Sequence, residues 1–390
     1  MKKKIIGFGE PCISKKEREI IIKTLKSKWL GAGPLVKKFE KNFSYYKKIK
    51  YSSALNSCTS ALFLSLKLIG IKKGDEVITT PLTWCSTINS IIHAGAKPVL
   101  VDIDKNTLNI DHHKIEKKIN NKTRAIIPVH FAGLPCEMDE IMEIAVRHKI
   151  QIIEDCAHAI ESKFNDRPVG SFGITGCFSF YANKNITTGD GGMITTNNKK
   201  IYELSEIYKF NGLSKHAWER YRPSLEIKSK KHLYDVMHPG FKFNMTDLQA
   251  GLGIEQLKKI NFFWKKRKEI FNIYKRNLLN LPIKFQEFNQ KKIKHAYHLF
   301  LFYIDKNKTK KTREKLVEFL KINKIGFGIH YPSITDMTYY KKEFKWTKKT
   351  TPISLEIGRN TISLPLYPHL KKKEVHYICS KIKKFFFNDK

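Results

Sequence analysis

The stretch Gly176–Met193, GCFSFYANKNITTGDGGM, constrains this chain more than any other. Its apolar run Cys177-Phe178-Ser179-Phe180 predicts a buried strand, and Lys184 follows just past the strand's end on a turn that closes with Gly189-Asp190-Gly191-Gly192. Open α/β sheets bind ligands outside their strand ends. A lysine partly withdrawn from water there loses some of its preference for the charged form, and its neutral amine can attack a carbonyl to make a Schiff base. Lysine is abundant throughout the chain, so Lys184 stands out only if other stretches supply partners for that chemistry.

Upstream, strands alternate with helices. Helical periodicity covers Glu17–Lys28, breaks at Gly31-Ala32-Gly33-Pro34 and resumes over Leu35–Tyr46. Tyr51–Leu55 predicts a strand, after which Asn56-Ser57-Cys58-Thr59-Ser60 opens a helix to Leu68. Hydroxyl residues at a helix start make a ready phosphate site, although Ser57 serves equally as an N-cap. Asp75–Thr80, Cys85–Ala94 and Lys97–Asp102 read as a βαβ unit, with Trp84 at the strand-to-helix junction, where it can stack on a flat ring or fill the core. A strand at Arg124–His130, a helix at Met138–His148 and a strand at Gln151–Glu154 continue a parallel winding. Asp155 ends that strand, with His158 close behind; an acid there can pair with a protonated ring nitrogen or cap the next turn. Glu161–Gly170 predicts a hairpin, and Met193–Thr196 a strand after glycines whose freedom at positive φ suits a tight return.

Past a helix at Lys199–Tyr208, the stretch Gly212–Tyr234 has little periodicity, and a loop of about twenty residues inside a compact domain is usually functional or mobile. Asn244 and Thr246 precede a long helix beginning near Asp247 and can be its caps. Beyond Leu257 a helix-rich basic segment to Asn280 gives way to strands at Tyr297–Ile304, Gly326–His330 and Thr361–Leu364, with helices at Thr312–Ile322 and Lys373–Phe386 and a loop before Thr361. This α+β pattern predicts a large domain over residues 1–257 and a smaller one over 258–390.

The net charge of +37, from 73 basic and 36 acidic residues in 390, raises nucleic-acid binding as a function. Against it, lysine outnumbers arginine roughly six to one and is spread over the whole length, whereas base and phosphate readers rely on arginine forks. A diffuse positive field favours encounter with an anionic small substrate instead. The cysteines form no CxxC pair and are odd in number, which argues against both a zinc site and a disulfide framework. No apolar run approaches the ~18 residues of a membrane span and no basic-then-apolar segment opens the chain, so a soluble, cytoplasmic protein is expected.

A phosphate cradle, a flat stacking partner, an acid for a ring nitrogen and a lysine for an aldehyde are the parts needed to use pyridoxal phosphate. The residues that supply them also carry a family resemblance. Trp29-Leu30-Gly31-Ala32-Gly33-Pro34, Asn56 to Leu62, Glu154-Asp155-Cys156-Ala157-His158, Phe178-Ser179-Phe180 with Lys184-Asn185, Gly189 to Gly192, Gly240 to Asp247 and Gly328-Ile329-His330-Tyr331 occur over most of the chain in the order of the DegT/StrS-type sugar aminotransferases. The chain resembles that family, a nucleotide-sugar branch of the fold-type I pyridoxal-phosphate enzymes. Thr83 to Thr87, the Trp218 loop and Tyr297-His298-Leu299-Phe300 are most similar to the members acting on UDP-4-keto sugars, the UDP-4-amino-4-deoxy-arabinose type in particular.

The resemblance implies a fold-type I architecture with a mostly parallel sheet and a smaller carboxyl-terminal domain. It implies that Lys184 anchors pyridoxal 5'-phosphate and shuttles a proton, that Asp155 keeps the ring nitrogen protonated with His158 nearby, that Thr59, Ser60 and Ser179 hold the phosphate and that Trp84 stacks on the ring. Asn244 would reach the phosphate across a homodimer interface, and His330 and Tyr331 would lie at the sugar or amino-donor site. The implied reaction is ping-pong transfer from L-glutamate to a nucleotide-linked keto sugar, as part of polysaccharide or lipopolysaccharide biosynthesis. A 3-keto sugar, a cyclitol or a dTDP-sugar is an alternative acceptor. Dehydratases of this family lack the lysine, so Lys184 argues against that branch. Tyr181, where relatives often have histidine, and Cys58, where they have a small residue, depart from the pattern and bear on which sugar is used.

Overall fold

Five segments that sequence reads as strands do form adjacent parallel strands. The computed structural model describes residues 5–214 and 234–387; the aperiodic stretch at 212–234 and its Trp218 lie outside the described residues apart from the ends of that stretch. The main sheet comprises β1 (Tyr51–Leu55), β2 (Glu76–Thr79), β3 (Lys97–Leu100), β4 (Thr123–Ile127), β5 (Gln151–Asp155), β6 (Thr175–Ser179) and β7 (Gly192–Thr196). Their spatial order is β1-β7-β6-β5-β4-β2-β3. From β6 through β5, β4 and β2 to β3 every neighbour is parallel. Such strands are covered on both faces, and β5 and β6 are accordingly buried along all but one residue each.

The remaining two strands decide where the site forms. β7 is antiparallel to β6, and β1 is antiparallel to β7. Two reversals restore the direction, so the carboxyl ends of β1, β2, β5 and β6 all open on one edge of the sheet. The helices Cys58–Leu68 and Cys85–His93 start from that edge after β1 and β2.

The hairpin expected at Glu161–Gly170 is present as Lys163–Phe164 paired with Arg167–Pro168, and Ile293–Lys294 adds a third strand to it. Further on, Ile283–Lys284, Phe300–Ile304 and Thr361–Leu364 make an antiparallel three-stranded sheet. Helices Ile260–Leu278, Arg313–Ile322 and Lys372–Phe387 pack with it around Tyr274, Phe300, Phe302, Leu316, Leu364 and Ile378. Ile6, at the other end of the chain, joins the same core.

Two expectations fail here. Gly326–His330 is not a strand: Ile325 bridges to Ile6 and Gly328 to Ser363, so its backbone is divided between two partners and forms no ladder. The stretch before Thr361 is not simply a loop, since it holds helices Thr338–Phe344 and Pro352–Asn360. The second begins with proline, whose missing N–H suits the first turn, while Asp102 accepts the N–H groups of Ile353 (2.8 Å) and Ser354 (3.0 Å). That cap is supplied from far away in sequence. Among the described residues, no helix is long and apolar enough to cross a membrane.

Candidate active site

The shared strand edge encloses a cavity of about 530 Å³, a size that suits a cofactor or small ligand. Eight of the ten residues singled out from sequence line it: Thr59, Trp84, Asp155, His158, Ser179, Lys184, His330 and Tyr331. Thr59 is exposed in the first turn of helix Cys58–Leu68, where backbone N–H groups lack intrahelical partners. Trp84 is 58% exposed and so does not fill the core; its ring lies 5.7 Å from that of Tyr331.

Asp155 does two things at once. It is 3% exposed, and its carboxylate accepts the Ala157 N–H (3.1 Å), as a turn cap would, and the Thr87 hydroxyl (2.9 Å). Burial raises its pKa above the usual carboxyl value, against the opposing pull of those two donors and of Lys184. Lys184, partly open to the cavity, is affected in the complementary way: burial lowers its amine to about 8, resisted by Cys58 and Asp155.

The histidines are held neutral. His158 Nδ1 accepts the Ala132 N–H (3.3 Å), which leaves Nε2 as the protonated nitrogen facing the Tyr331 hydroxyl at 3.1 Å. Burial, and then the charge of Lys184, pushes its pKa well below the ordinary histidine value. His330 stacks on Phe8 with ring centres 5.4 Å apart, its Nδ1 lies 2.9 Å from the Ser363 hydroxyl, and burial followed by Lys184 takes it down to about 3.

The glycine turn works mainly through space. Of its glycines only Gly189 has a positive φ, +84°. A side chain on Gly192 would run into the Ser57 backbone, and one on Gly191 into Thr188 and Met245. The expectation that positive φ explains these glycines is thus corrected: the absence of a Cβ lets β7 begin in contact with the helix start that carries Thr59.

Two predicted residues do not line the cavity. The Ser60 hydroxyl turns back to Asn56 Oδ1 (2.7 Å), and its N–H is taken by Ser57 Oγ (3.1 Å), so Ser57 is the N-cap. Asn244 pairs with Leu55 in an isolated bridge, and its buried Oδ1 has no hydrogen-bond partner among the described residues. Asp190 and Gly191 of the expected turn line the cavity as well, and so does Asn183, to which sequence reasoning gave no role, as it gave none to Thr87. Thr87 was legible only as the second hydroxyl, one helical turn after Thr83, at a helix start. Tyr181, 52% exposed, borders the cavity, and its hydroxyl has no hydrogen-bond partner among the described residues.

His130, Glu154 and Cys156 approach one another closely enough to suggest a metal site. Both ring nitrogens of His130 are already committed, Nδ1 to the Cys136 N–H (3.1 Å) and Nε2 to Glu154 (3.1 Å). Glu154 also accepts N–H groups from Gly170, Phe172 and Gly173, so the trio is a structural knot behind Asp155.

A sequence profile of the DegT/DnrJ/EryC1/StrS aminotransferase family matches residues 11–383. The chain belongs to that family. It is 40% identical over 379 residues to the spore coat polysaccharide biosynthesis protein SpsC of Bacillus subtilis, covering 97% of this chain and 96% of that one. Among solved structures it is similar to the putative sugar aminotransferase Spr1654 of Streptococcus pneumoniae in its PMP form, with a TM-score of 0.89, 30% identity and coverage of 97% and 98%. It is likewise similar to Helicobacter pylori PseC, an aminotransferase involved in the biosynthesis of pseudoaminic acid, with a TM-score of 0.89, 28% identity and coverage of 98% and 99%.

The DegT/StrS resemblance and the fold-type I architecture read from sequence therefore hold. The cofactor is pyridoxal phosphate, and PLP and PMP forms are both known for Spr1654. The residues of this family member fit it. A lysine with a lowered pKa and a buried carboxylate share one cavity, and a helix start with an exposed hydroxyl, Thr59, opens into it.

Proposed function

We propose that the protein transfers an amino group from L-glutamate to a nucleotide-linked keto sugar, at C-4 of a UDP-4-keto sugar, by a ping-pong mechanism. The observation that carries this reading is the pairing of Lys184, its amine lowered to about 8, with buried Asp155 across one cavity. Pyridoxal phosphate, when bound, supplies an aldehyde for amines and a ring that takes up electrons from the substrate carbon. Lys184 Nζ would hold it, and its amine, when free, would take and return the proton at the reacting carbon. The Asp155 carboxylate holds a proton on the ring nitrogen; its raised basicity favours that contact. Thr59 and Ser179 hold the phosphate, and Ser60 acts indirectly by fixing Asn56 and Ser57.

Trp84 covers the ring face, while His158 orients Tyr331 through its Nε2–H, and Tyr331 and His330 meet the substrate. Asn244 completes the phosphate site of a partner subunit in a homodimer, where its unpaired Oδ1 gains a donor. Residues 1–257 form the cofactor-binding domain and 258–390 the smaller domain, a division supported by the helix break at Lys259. The UDP-4-keto preference rests on the sequence of Thr83 to Thr87 and Tyr297 to Phe300, and the name of SpsC supports a place in polysaccharide biosynthesis. Incubating the holoenzyme with glutamate and a panel of UDP- and dTDP-linked keto sugars, then weighing the products, tests this. Amination of a UDP-4-keto sugar is expected; amination of only a dTDP-sugar, a 3-keto sugar or a cyclitol would redirect the substrate assignment.

A further inference from the structure

The turn that carries Lys184 is tied down one residue later. Asn185 is 5% exposed, and its amide reaches three separate parts of the chain. Nδ2 donates to the Glu161 carboxylate (2.8 Å) and to the Ala296 carbonyl (3.0 Å), and Oδ1 lies 3.0 Å from His298 Nδ1. Two acceptors on Nδ2 fix the orientation of the amide, so His298 must carry its proton on Nδ1 and leave Nε2 as a bare lone pair. His298 itself is 5% exposed.

The segment around His298 is itself restrained. Its ring lies against that of His158, centres 4.4 Å apart. Buried Arg267 donates to the carbonyls of His298 (3.2 Å) and Leu366 (2.8 Å). Tyr297 has a φ of +52°, an uncommon conformation for an aromatic residue and one that persists only where surroundings enforce it. The titratable and charged groups that face Lys184 or His298 are Asp155, Cys58, His158, His330, Arg267 and, through Asn185, Glu161.

We propose that Asn185 is a positioning residue: its three hydrogen bonds hold the Lys184 turn against the His298 segment and lock His298 as the Nδ1–H tautomer, so that the lysine stays withdrawn from water beside two neutral imidazoles. An amide does not pass protons along, so Glu161–Asn185–His298 is an anchor and not a relay. The proposal rests on Lys184 being the reactive lysine.

The test labels the apoprotein with an amine-acylating reagent across pH values from about 6 to 11 and follows the Lys184 peptide by mass spectrometry. The wild-type midpoint is expected near 8. In Asn185→Leu, apolar and of similar size, it should rise by about one unit or more as the amine gains water, and kcat should fall about tenfold with KM for the amino donor little changed. Asn185→Asp keeps an oxygen for His298 Nδ1 and should fall between the two. Nitrogen-15 spectra of the labelled histidines should show His298 protonated on Nδ1. A wild-type midpoint near 10.5 would sink the assignment of Lys184 itself. A normal wild-type midpoint left unmoved in Asn185→Leu, or a His298 protonated on Nε2, would overturn the anchor alone. If Asn185→Leu does not fold, the Asp variant and the wild-type spectra still decide it.

Discussion

At the residue scale the central quantity is how much of Lys184 is uncharged. With its amine at about 8, about a tenth is neutral at pH 7, against about three parts in ten thousand for an ordinary lysine. Of the two groups that oppose the lowering, Cys58 is itself pushed well above the usual thiol value by burial, which leaves Asp155 to carry negative charge beside the lysine. Asp155→Asn removes that charge and is expected to reduce activity by about a hundredfold or more while weakening cofactor retention; activity within a few fold of wild type would contradict its role.

The buried histidines predict a pH effect on stability. Burial takes His295 down to about 3 and His330 to about 3, and pushes His158 and His298 well below the usual value. Below about 6.5 the unfolded chain binds protons that the folded chain refuses, so stability falls as pH drops, by about 1.4 kcal/mol per unit for each such histidine. Melting temperatures of the apoprotein between about pH 8 and 5 should show this. His295→Phe, in a pocket already lined by Phe271 and Phe288, should flatten the slope by one proton; an unchanged slope would count against it.

At the scale of elements, the contact between β7 and the start of helix Cys58–Leu68 is the most sensitive joint. Gly192→Ala drives a Cβ into the Ser57 backbone, and overpacking of this kind typically destabilises by about 1–3 kcal/mol. Because the displaced backbone carries Thr59, the cofactor dissociation constant should rise along with the fall in melting temperature. A fall in melting temperature with unchanged cofactor affinity would show that this joint does not shape the phosphate site.

The sequence made β5, β6 and the order of parallel winding readable because apolar runs bounded by turn residues have few other fates. It also located Lys184 and Asp155, since strand ends fix where such residues emerge. Other features depend on partners distant in the chain. Helix Pro352–Asn360 is capped by Asp102, and the backbone at Gly326–His330 is shared between Ile6 and Ser363, neither of which a local pattern records. Ser57 and Ser60 are interchangeable in a motif, and only the hydrogen bonds between them show which one turns inward.

For the whole molecule, the proposed exchange of Asn244 between subunits makes a distinct prediction. Mixing Lys184→Ala chains with Asn244→Ala chains should restore activity, because one site of the mixed dimer then has an intact lysine and an intact asparagine from different chains. No restoration, with mixed dimers present by mass, would place Asn244 in its own chain's site. The charge of +37 belongs to this scale as well, since a positive field speeds the arrival of an anionic substrate and makes that rate fall with salt. All of this depends on Lys184 being the covalent anchor. Reducing the holoenzyme with borohydride and mapping the modified peptide tests that most directly. The expected result is a single phosphopyridoxyl group on Lys184, absent when L-glutamate is added before the reductant; an adduct on another lysine, or none at all, would contradict the account.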